Sequence, residues 1–232
     1  MKAVIFAAGE GRRLHPLTLD KPKQLVTVLG KTLIEYVWDV LPSVIDEVVI
    51  VVGYKQEMIR DFLGDNYKGK KITYVVQEQF LGTAHALGLC KPHLENEKKF
   101  LLMYADDLHG KEGVARCLEH DSALLVSFVD DPRRFGVVVT NEDGTIKNIE
   151  EKPEHPKSNL AVTGVYVLSP QIFDYKALHA KNGEYYLTDM IEGYIRDNPV
   201  QVVESDFWVP IAYPDDILRA EKILRGLPHK EK

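Results

Sequence analysis

The sequence predicts an α/β fold, a doubly wound and mostly parallel sheet with an added antiparallel lobe, on three observations. Several short runs are apolar at every position rather than at every second one, which marks strands covered on both faces. Segments with apolar residues at helical spacing separate those runs, and strand alternating with helix is the pattern of parallel strands joined by crossovers. Past residue 130 the strands follow one another closely, the first two joined by a tight turn.

In chain order, residues 2–7 form the first apolar strand. "TLIEYVWDVL" (32–41) has helical spacing, "EVVIVVGY" (47–54) is a second strand, and "KQEMIRDFLG" (55–64) a second helix. "KITYVV" (71–76), "KFLLMYA" (99–105) and "ALLVSFV" (123–129) are further strands, separated by helices in "GTAHALGLC" (82–90) and "GVARCLEH" (113–120). "FGVVVT" and "TIKNIEE" then flank "NEDG", where Asp143 and Gly144 suit a turn between antiparallel strands. "LAVTGVYVLS" follows, then helices at 170–179, 187–197 and about 214–226, and a tail, "LPHKEK", expected to fray. With no Gly- or Ser-rich linker, repeat or low-complexity segment, residues 1–232 read as one domain with halves at about 1–130 and 131–226.

Composition bounds the function. At 232 residues and 45% hydrophobic content the chain can bury a sizeable core. A net charge of −6 and a pI near 5.8 leave no broad basic face, which argues against nucleic acid and anionic membranes as partners. Any anion site must be local. No run approaches the roughly 20 apolar residues of a membrane span, and the N-terminal run is too short for a signal peptide. Cys90 and Cys117 form neither a metal-ligand pattern nor a disulfide framework and read as buried, inert thiols. The expected setting is cytoplasmic.

In doubly wound sheets ligands bind beyond the carboxyl ends of the strands, and the first such end opens onto "AAGEGRRLHPLTLDKPKQL" (7–25). Neither familiar phosphate loop is present: Leu14 stands where a dinucleotide fingerprint needs its third glycine, and Leu25 where a P-loop before "GKT" (30–32) needs one. The physics those loops share survives. Gly9 and Gly11 let the backbone approach an anion, Arg12, Arg13, Lys21 and Lys23 supply charge, and Pro16 and Pro22 restrict the loop before a polyphosphate docks.

The same stretch resembles the signature of the sugar-1-phosphate nucleotidyltransferases (glucose-1-phosphate uridylyltransferase or thymidylyltransferase-like), G-x-G-x-R-L-x-P-L-T followed by P-K-x-L. The resemblance continues in order through "LGTAHAL" (81–87), "YADD" (104–107), "RFGVV" (134–138), "EEKP" (150–153), "VTGVYVL" (162–168) and "GEYYLTD" (183–189). It implies a Rossmann-like mixed sheet whose antiparallel part is a sugar-binding lobe. It also implies transfer of a nucleotidyl group from a nucleoside triphosphate to a sugar 1-phosphate, with pyrophosphate released. Two polyanions must then be aligned, so charge neutralisation and orientation carry the reaction.

By motif position the resemblance makes Arg13, Lys23 and Asp106 catalytic: Arg13 grips the triphosphate, Lys23 meets the α-phosphate, and Asp106 holds Mg²⁺. Ala8, Gly9, Gly11, Arg12, Gln77, Gly82 and Thr83 join them at the nucleotide, with Gly82 a close-approach position under the base. An amide at Gln77 has the donor and acceptor that complement uracil or thymine, which favours UTP or dTTP. His85, without a ligand partner four residues on, is packed on its helix and not catalytic. Asp107, Gly136, Glu151, Lys152, Thr163 and Trp208 are the expected sugar-phosphate contacts, with Glu151 accepting from sugar hydroxyls and Lys152 pairing with the phosphate. Gly164 is a backbone contact beside Thr163.

Two departures stand out. The family's second metal carboxylate follows a tryptophan by two, and here "FWVPIAYPDD" puts Pro210 there, leaving Asp206, Asp215 or Asp216 as substitutes, or Asp106 alone with substrate phosphates. An arginine that precedes "GE" in relatives using glucose 1-phosphate is Asn182. From Gln77 and the resemblance, the favoured product is a UDP- or dTDP-hexose from glucose 1-phosphate. A guanylyl or cytidylyl enzyme acting on mannose or another sugar phosphate, and a weakly active or non-catalytic sugar-nucleotide binder, remain open, as does homo-oligomerisation. The chain stops after its last predicted helix, so an appended acetyltransferase β-helix is not expected.

Overall fold

The computed structural model describes residues 1–180 and 182–226; the tail expected to fray lies outside them. Its strands are β1 (Lys2–Ala7), β2 (Thr27–Val28), β3 (Lys31–Thr32), β4 (Glu47–Val52), β5 (Asn66–Tyr67), β6 (Lys70–Val76), β7 (Phe100–Tyr104), β8 (Asp107–His109), β9 (Ala123–Phe128), β10 (Gly136–Thr140), β11 (Ile146–Glu151), β12 (Leu160–Leu168), β13 (Gln201–Glu204) and β14 (Trp208–Pro210). Its helices are α1 (Leu33–Val40), α2 (Gln56–Leu63), α3 (Thr83–Leu89), α4 (Lys91–Leu94), α5 (Lys111–Cys117), α6 (Leu187–Tyr194) and α7 (Pro214–Gly226).

Continuous apolar runs arise because the sheet separates two cores. In β1, Ala3, Ile5 and Ala7 face one cluster with Trp38 of α1 and Ile59 of α2, while Val4 faces the other with Leu87 of α3 and Ile191 of α6. The helices are held in place locally as well. Thr32 and Glu35 form a reciprocal capping box that starts α1, a device that stabilises a helix by about 1 kcal/mol.

The main sheet runs β11-β10-β12-β7-β1-β4-β6-β5, with β9 and β13 paired alongside β12. Strands β7, β1, β4 and β6 are mutually parallel, and strand order reverses between β1 and β7. The expected fold class is borne out, as a mixed sheet with parallel strands at its centre. The antiparallel lobe is a continuation of that sheet through β12, β10 and β11. The fifth apolar strand, β9, belongs to this antiparallel side, where it pairs with β12. The helix expected at 170–179 is only a 3-10 turn, Pro170–Asp174, because Tyr175 is extended and its hydroxyl is tied to Asp197.

This topology brings chemistry to one edge. The parallel strands end there at Ala7, Val52, Val76 and Tyr104, and the antiparallel pairing puts Gly136, Glu151 and the start of β12 beside them. A ribbon of β8 and β14, with α7 behind it, closes the side of the reversal point.

Candidate active site

A cleft of about 520 Å³ opens along this edge, a volume suited to a nucleotide and a small partner. Every residue that the resemblance expects at the nucleotide or the sugar phosphate lines it.

The loop after β1 forms one wall. Gly11 adopts the left-handed conformation (φ 69°), and a Cβ there would come within 2.9 Å of the Cβ of Lys23, so the turn and the close packing both need glycine. Thr18, fully buried, donates its hydroxyl to the Gly11 carbonyl at 2.8 Å. Leu14, the residue that broke the dinucleotide fingerprint, is an anchor: it is fully buried with Val26, Leu33, Leu108, Ile211 and Ile217. A Cβ at Gly9 would meet nothing within 4 Å, so that backbone, with Ala8 beside it, faces open space.

At the reversal point the ends of β1 and β7 meet. Lys23, brought in by a 3-10 turn behind Pro22, donates to Asp106 Oδ2 at 2.7 Å with its side chain 9% exposed. Asp106 Oδ1 has no partner among the described residues. Arg12 is exposed and pairs with Glu10 at 2.6 Å. Arg13 has no carboxylate partner among the described residues; its guanidinium lies 5.7 Å from the Tyr213 ring centre. Lys21 does not line the cleft.

Asp107 is engaged differently from its neighbour. Its Oδ2 accepts the Trp208 indole N–H and its Oδ1 accepts the Ile211 amide, each at 3.0 Å. Burial, reinforced by the adjacent Asp106 charge, pushes its carboxyl up to about 7. Asp107 thus braces the ribbon and fixes Trp208, whose ring stands edge-on to Phe135 with centres 5.1 Å apart.

Pro210 pairs directly across from Asp107 and lines the cleft, so the family position is present without its carboxylate. Of the three candidate substitutes only Asp216 lines the cleft, and both of its oxygens are engaged by the chain itself. Asp206 accepts the Gly113 amide at the start of α5, outside the cleft, and Asp215 is not in its lining either. Asp216 accepts the amides of Ala212 and Tyr213 and pairs with Arg219. Among the described residues no group of three metal-ligating side chains converges.

Opposite the loop, Glu151 holds Lys152 at 3.2 Å and accepts the Thr188 hydroxyl at 3.1 Å. Lys152 sits at φ 45°, a strained value for a side-chain-bearing residue and a common one at functional sites, with its ammonium 4.8 Å from the Tyr186 ring centre. Gly136 packs against Thr188 and Glu151.

Some expected contacts are engaged elsewhere. Thr163 is buried and its hydroxyl donates to the Leu125 carbonyl, away from the ring contact expected of it. A Cβ on the neighbouring Gly164 would collide with the Tyr104 ring at 2.8 Å. Glycine at 82 is required by the chain itself, since a Cβ there would stand 2.5 Å from the Tyr185 carbonyl oxygen. Thr83 Oγ1 accepts the Leu187 amide and so ties α3 to the start of α6. Gln77 is 5% exposed, and its Nε2 lies 3.1 Å from both the Gly82 carbonyl and His85 Nδ1, which leaves Oε1 as the edge without a partner among the described residues.

Sequence reasoning missed several lining residues. Arg134, quoted only as part of "RFGVV", reaches the cleft with its guanidinium 5.8 Å from the same Tyr213 ring that Arg13 approaches. Asn182, in place of the family arginine, donates to Glu184 and to the Tyr186 hydroxyl and so shapes the loop that carries both. Cys90 and Cys117 are fully buried, and burial pushes both thiols up to about 12. No helix among the described residues is long and apolar enough to cross a membrane.

Comparison with known proteins covers nearly the whole chain. The family model "Nucleotidyl transferase" matches residues 2–225. The UTP–glucose-1-phosphate uridylyltransferase AglF of Haloferax volcanii is 40% identical over 97% of each chain. The bifunctional protein GlmU of Methanocaldococcus jannaschii is 33% identical over 97% of this chain and 54% of its own length. Among solved structures, a Bacillus anthracis protein assigned as a glucose-1-phosphate thymidylyltransferase superposes with a TM-score of 0.85 at 29% identity, covering 100% and 98% of the two chains. A UDP-glucose pyrophosphorylase matches in fold at a TM-score of 0.82 and 23% identity, over 97% and 98%.

Proposed function

The chain belongs to the nucleotidyl transferase family, and we propose that it joins UTP or dTTP to a hexose 1-phosphate, glucose 1-phosphate being favoured. An oxygen of the sugar phosphate attacks the nucleotide α-phosphorus, the new P–O bond forms in line as the bond to the β-phosphate breaks, and pyrophosphate leaves. One observation carries the reading: Lys23 and Asp106 meet at the strand-order reversal, between an anion-ready loop and a wall bearing Glu151 and Lys152.

Each half of the chain has its task in this reading. From about 1–130, Ala8, Gly9, Gly11 and Arg12 line the triphosphate, Arg13 steadies the leaving pyrophosphate, Lys23 meets charge developing on the α-phosphate, and Gln77, Gly82 and Thr83 border the base. From about 131–226, Lys152 pairs with the incoming phosphate, Glu151 and Gly136 border the sugar hydroxyls, and Trp208 with Phe135 forms an apolar face. Asp107 and Thr163 act by holding this wall. In the apo state Lys23 and Asp106 neutralise each other, so both arrive preoriented and little reorganisation accompanies binding.

Mg²⁺ is the proposed metal, with Asp106 as its protein ligand. The donor set fits, since a hard cation accepts one carboxylate, several waters and substrate oxygens, and Oδ1 of Asp106 has no protein partner among the described residues. When bound, the ion would neutralise phosphate charge. Pro210, with Asp216 in the same lining but held by the Ala212 and Tyr213 amides and by Arg219, favours a second reading, a sugar-nucleotide binder with weak turnover.

Pyrophosphate release over a grid of nucleoside triphosphates and sugar 1-phosphates, with and without Mg²⁺, separates the two. Turnover of UTP or dTTP with glucose 1-phosphate is the expected result. Binding without pyrophosphate would establish the binder.

A further inference from the structure

Gln77 is oriented by two acceptors, and the second is not part of the cleft. The amide nitrogen has two N–H groups, and its two neighbours at 3.1 Å are the Gly82 carbonyl oxygen and His85 Nδ1. Gly82 fixes the direction of the amide, because turning it over would set Oε1 against a carbonyl oxygen. The second N–H then points at His85, whose Nδ1 must be the lone-pair nitrogen of its ring. Both donors are used and only the acceptor Oε1 is free for a ligand.

We infer that His85 is a positioning residue for base selection, holding the Gln77 amide so that the cleft offers the base an acceptor alone; this rests on the nucleotide reading given above. Set against N3 of the base, such an edge accepts the N3–H of uracil or thymine and opposes cytosine, whose N3 is itself an acceptor. Without His85 a nearly buried N–H loses its partner, a cost that the amide relieves by rotating that N–H toward the cleft. Discrimination between the two pyrimidines then falls. His85 lies in the first turn of α3 and does not line the cleft, so its substitution removes no ligand contact.

The test is direct binding of UTP and CTP to the full chain, with turnover kinetics alongside. His85→Phe should weaken UTP about tenfold, cut the UTP-to-CTP preference about tenfold, and raise the UTP KM while leaving kcat and the KM for the sugar phosphate unchanged. His85→Asn, whose Oδ1 takes the place of Nδ1, should restore the preference; His85→Ala replaces the Phe variant if that does not fold. An unchanged preference in the Phe or Ala variant, or an Asn variant as unselective as either, overturns the inference and leaves the function standing. A wild-type chain that binds neither UTP nor CTP sinks both.

Discussion

The two walls of the cleft are built on different principles. On the nucleotide side the groups that meet the phosphates come from one loop and the strand end beside it, and their working pair, Lys23 and Asp106, contact each other directly. On the sugar side the groups come from β8, β10, β11, β14 and the loop before α6, and each is fixed by a neighbour: Asp107 by Trp208 and Ile211, Glu151 by Thr188 and Lys152, Tyr186 by Asn182. The first wall is preorganised by opposite charges that the substrates will separate. The second is preorganised by hydrogen bonds that persist when a ligand arrives. Substitutions at the charged pair should therefore strike turnover, and those in the second wall should strike affinity for one substrate.

The largest effect tests the first half of that contrast. Lys23→Met keeps the stem that packs against Gly11 and removes the charge, and should lower kcat about 10³-fold, near 4 kcal/mol, with little change in the sugar KM. A variant that lost sugar affinity instead would erase the distinction between the walls.

Next comes the ribbon that carries Trp208. His109 of β8 is 6% exposed, neither ring nitrogen has a partner among the described residues, and burial pulls its imidazole down to about 4. The unfolded chain therefore takes up a proton that the fold refuses. The stability contributed by the neutral ring is complete above about pH 6.5 and is lost as pH falls toward 4, by about 3 kcal/mol in all. His109→Leu should remove most of that slope, measured by denaturant unfolding at a series of pH values. A slope unchanged by the substitution would assign the acid sensitivity to other groups.

Smaller still, Glu151→Gln keeps the Thr188 contact and removes the charge beside Lys152. It should raise the sugar-phosphate KM about tenfold and leave the KM for the nucleotide unchanged, the signature of a wall that binds one substrate.

The same contrast decides what the sequence makes legible. The loop at 8–25 is contiguous, so its glycines and cations can be read as one anion site, and the flanking apolar runs locate it at a strand end. Asp106 is legible from its place after an apolar strand. On the other wall the segments were legible but the direction of each side chain was not: nothing in "VTGVYVL" says that Thr163 turns to Leu125, and nothing in "RFGVV" says that Arg134 reaches Tyr213. Those outcomes depend on the bulge in β12 and on the pairing of β8 with β14, which are long-range facts. For the same reason β9 read as one more parallel strand. Its local pattern of burial on both faces is that of β1, and only its partner, β12, makes it antiparallel.

Pro210 is where the two walls meet, and the smallest predicted effect lies there. It stands opposite Asp107 in the ribbon, beside the one carboxylate proposed to hold a metal. Pro210→Asp would set a third carboxylate near Asp106 and Asp107, and without metal their mutual repulsion should lower the melting temperature by a few degrees. Added Mg²⁺ should reverse that loss, and the concentration giving half-maximal activity should fall a few-fold, since a second ligand replaces a water. The Arg219 guanidinium donates to the backbone carbonyl at 210, so that bond survives the change. If the melting temperature fell and Mg²⁺ did not restore it, position 210 would not face the ion, and the nucleotide wall would hold its metal through Asp106 and phosphate oxygens alone.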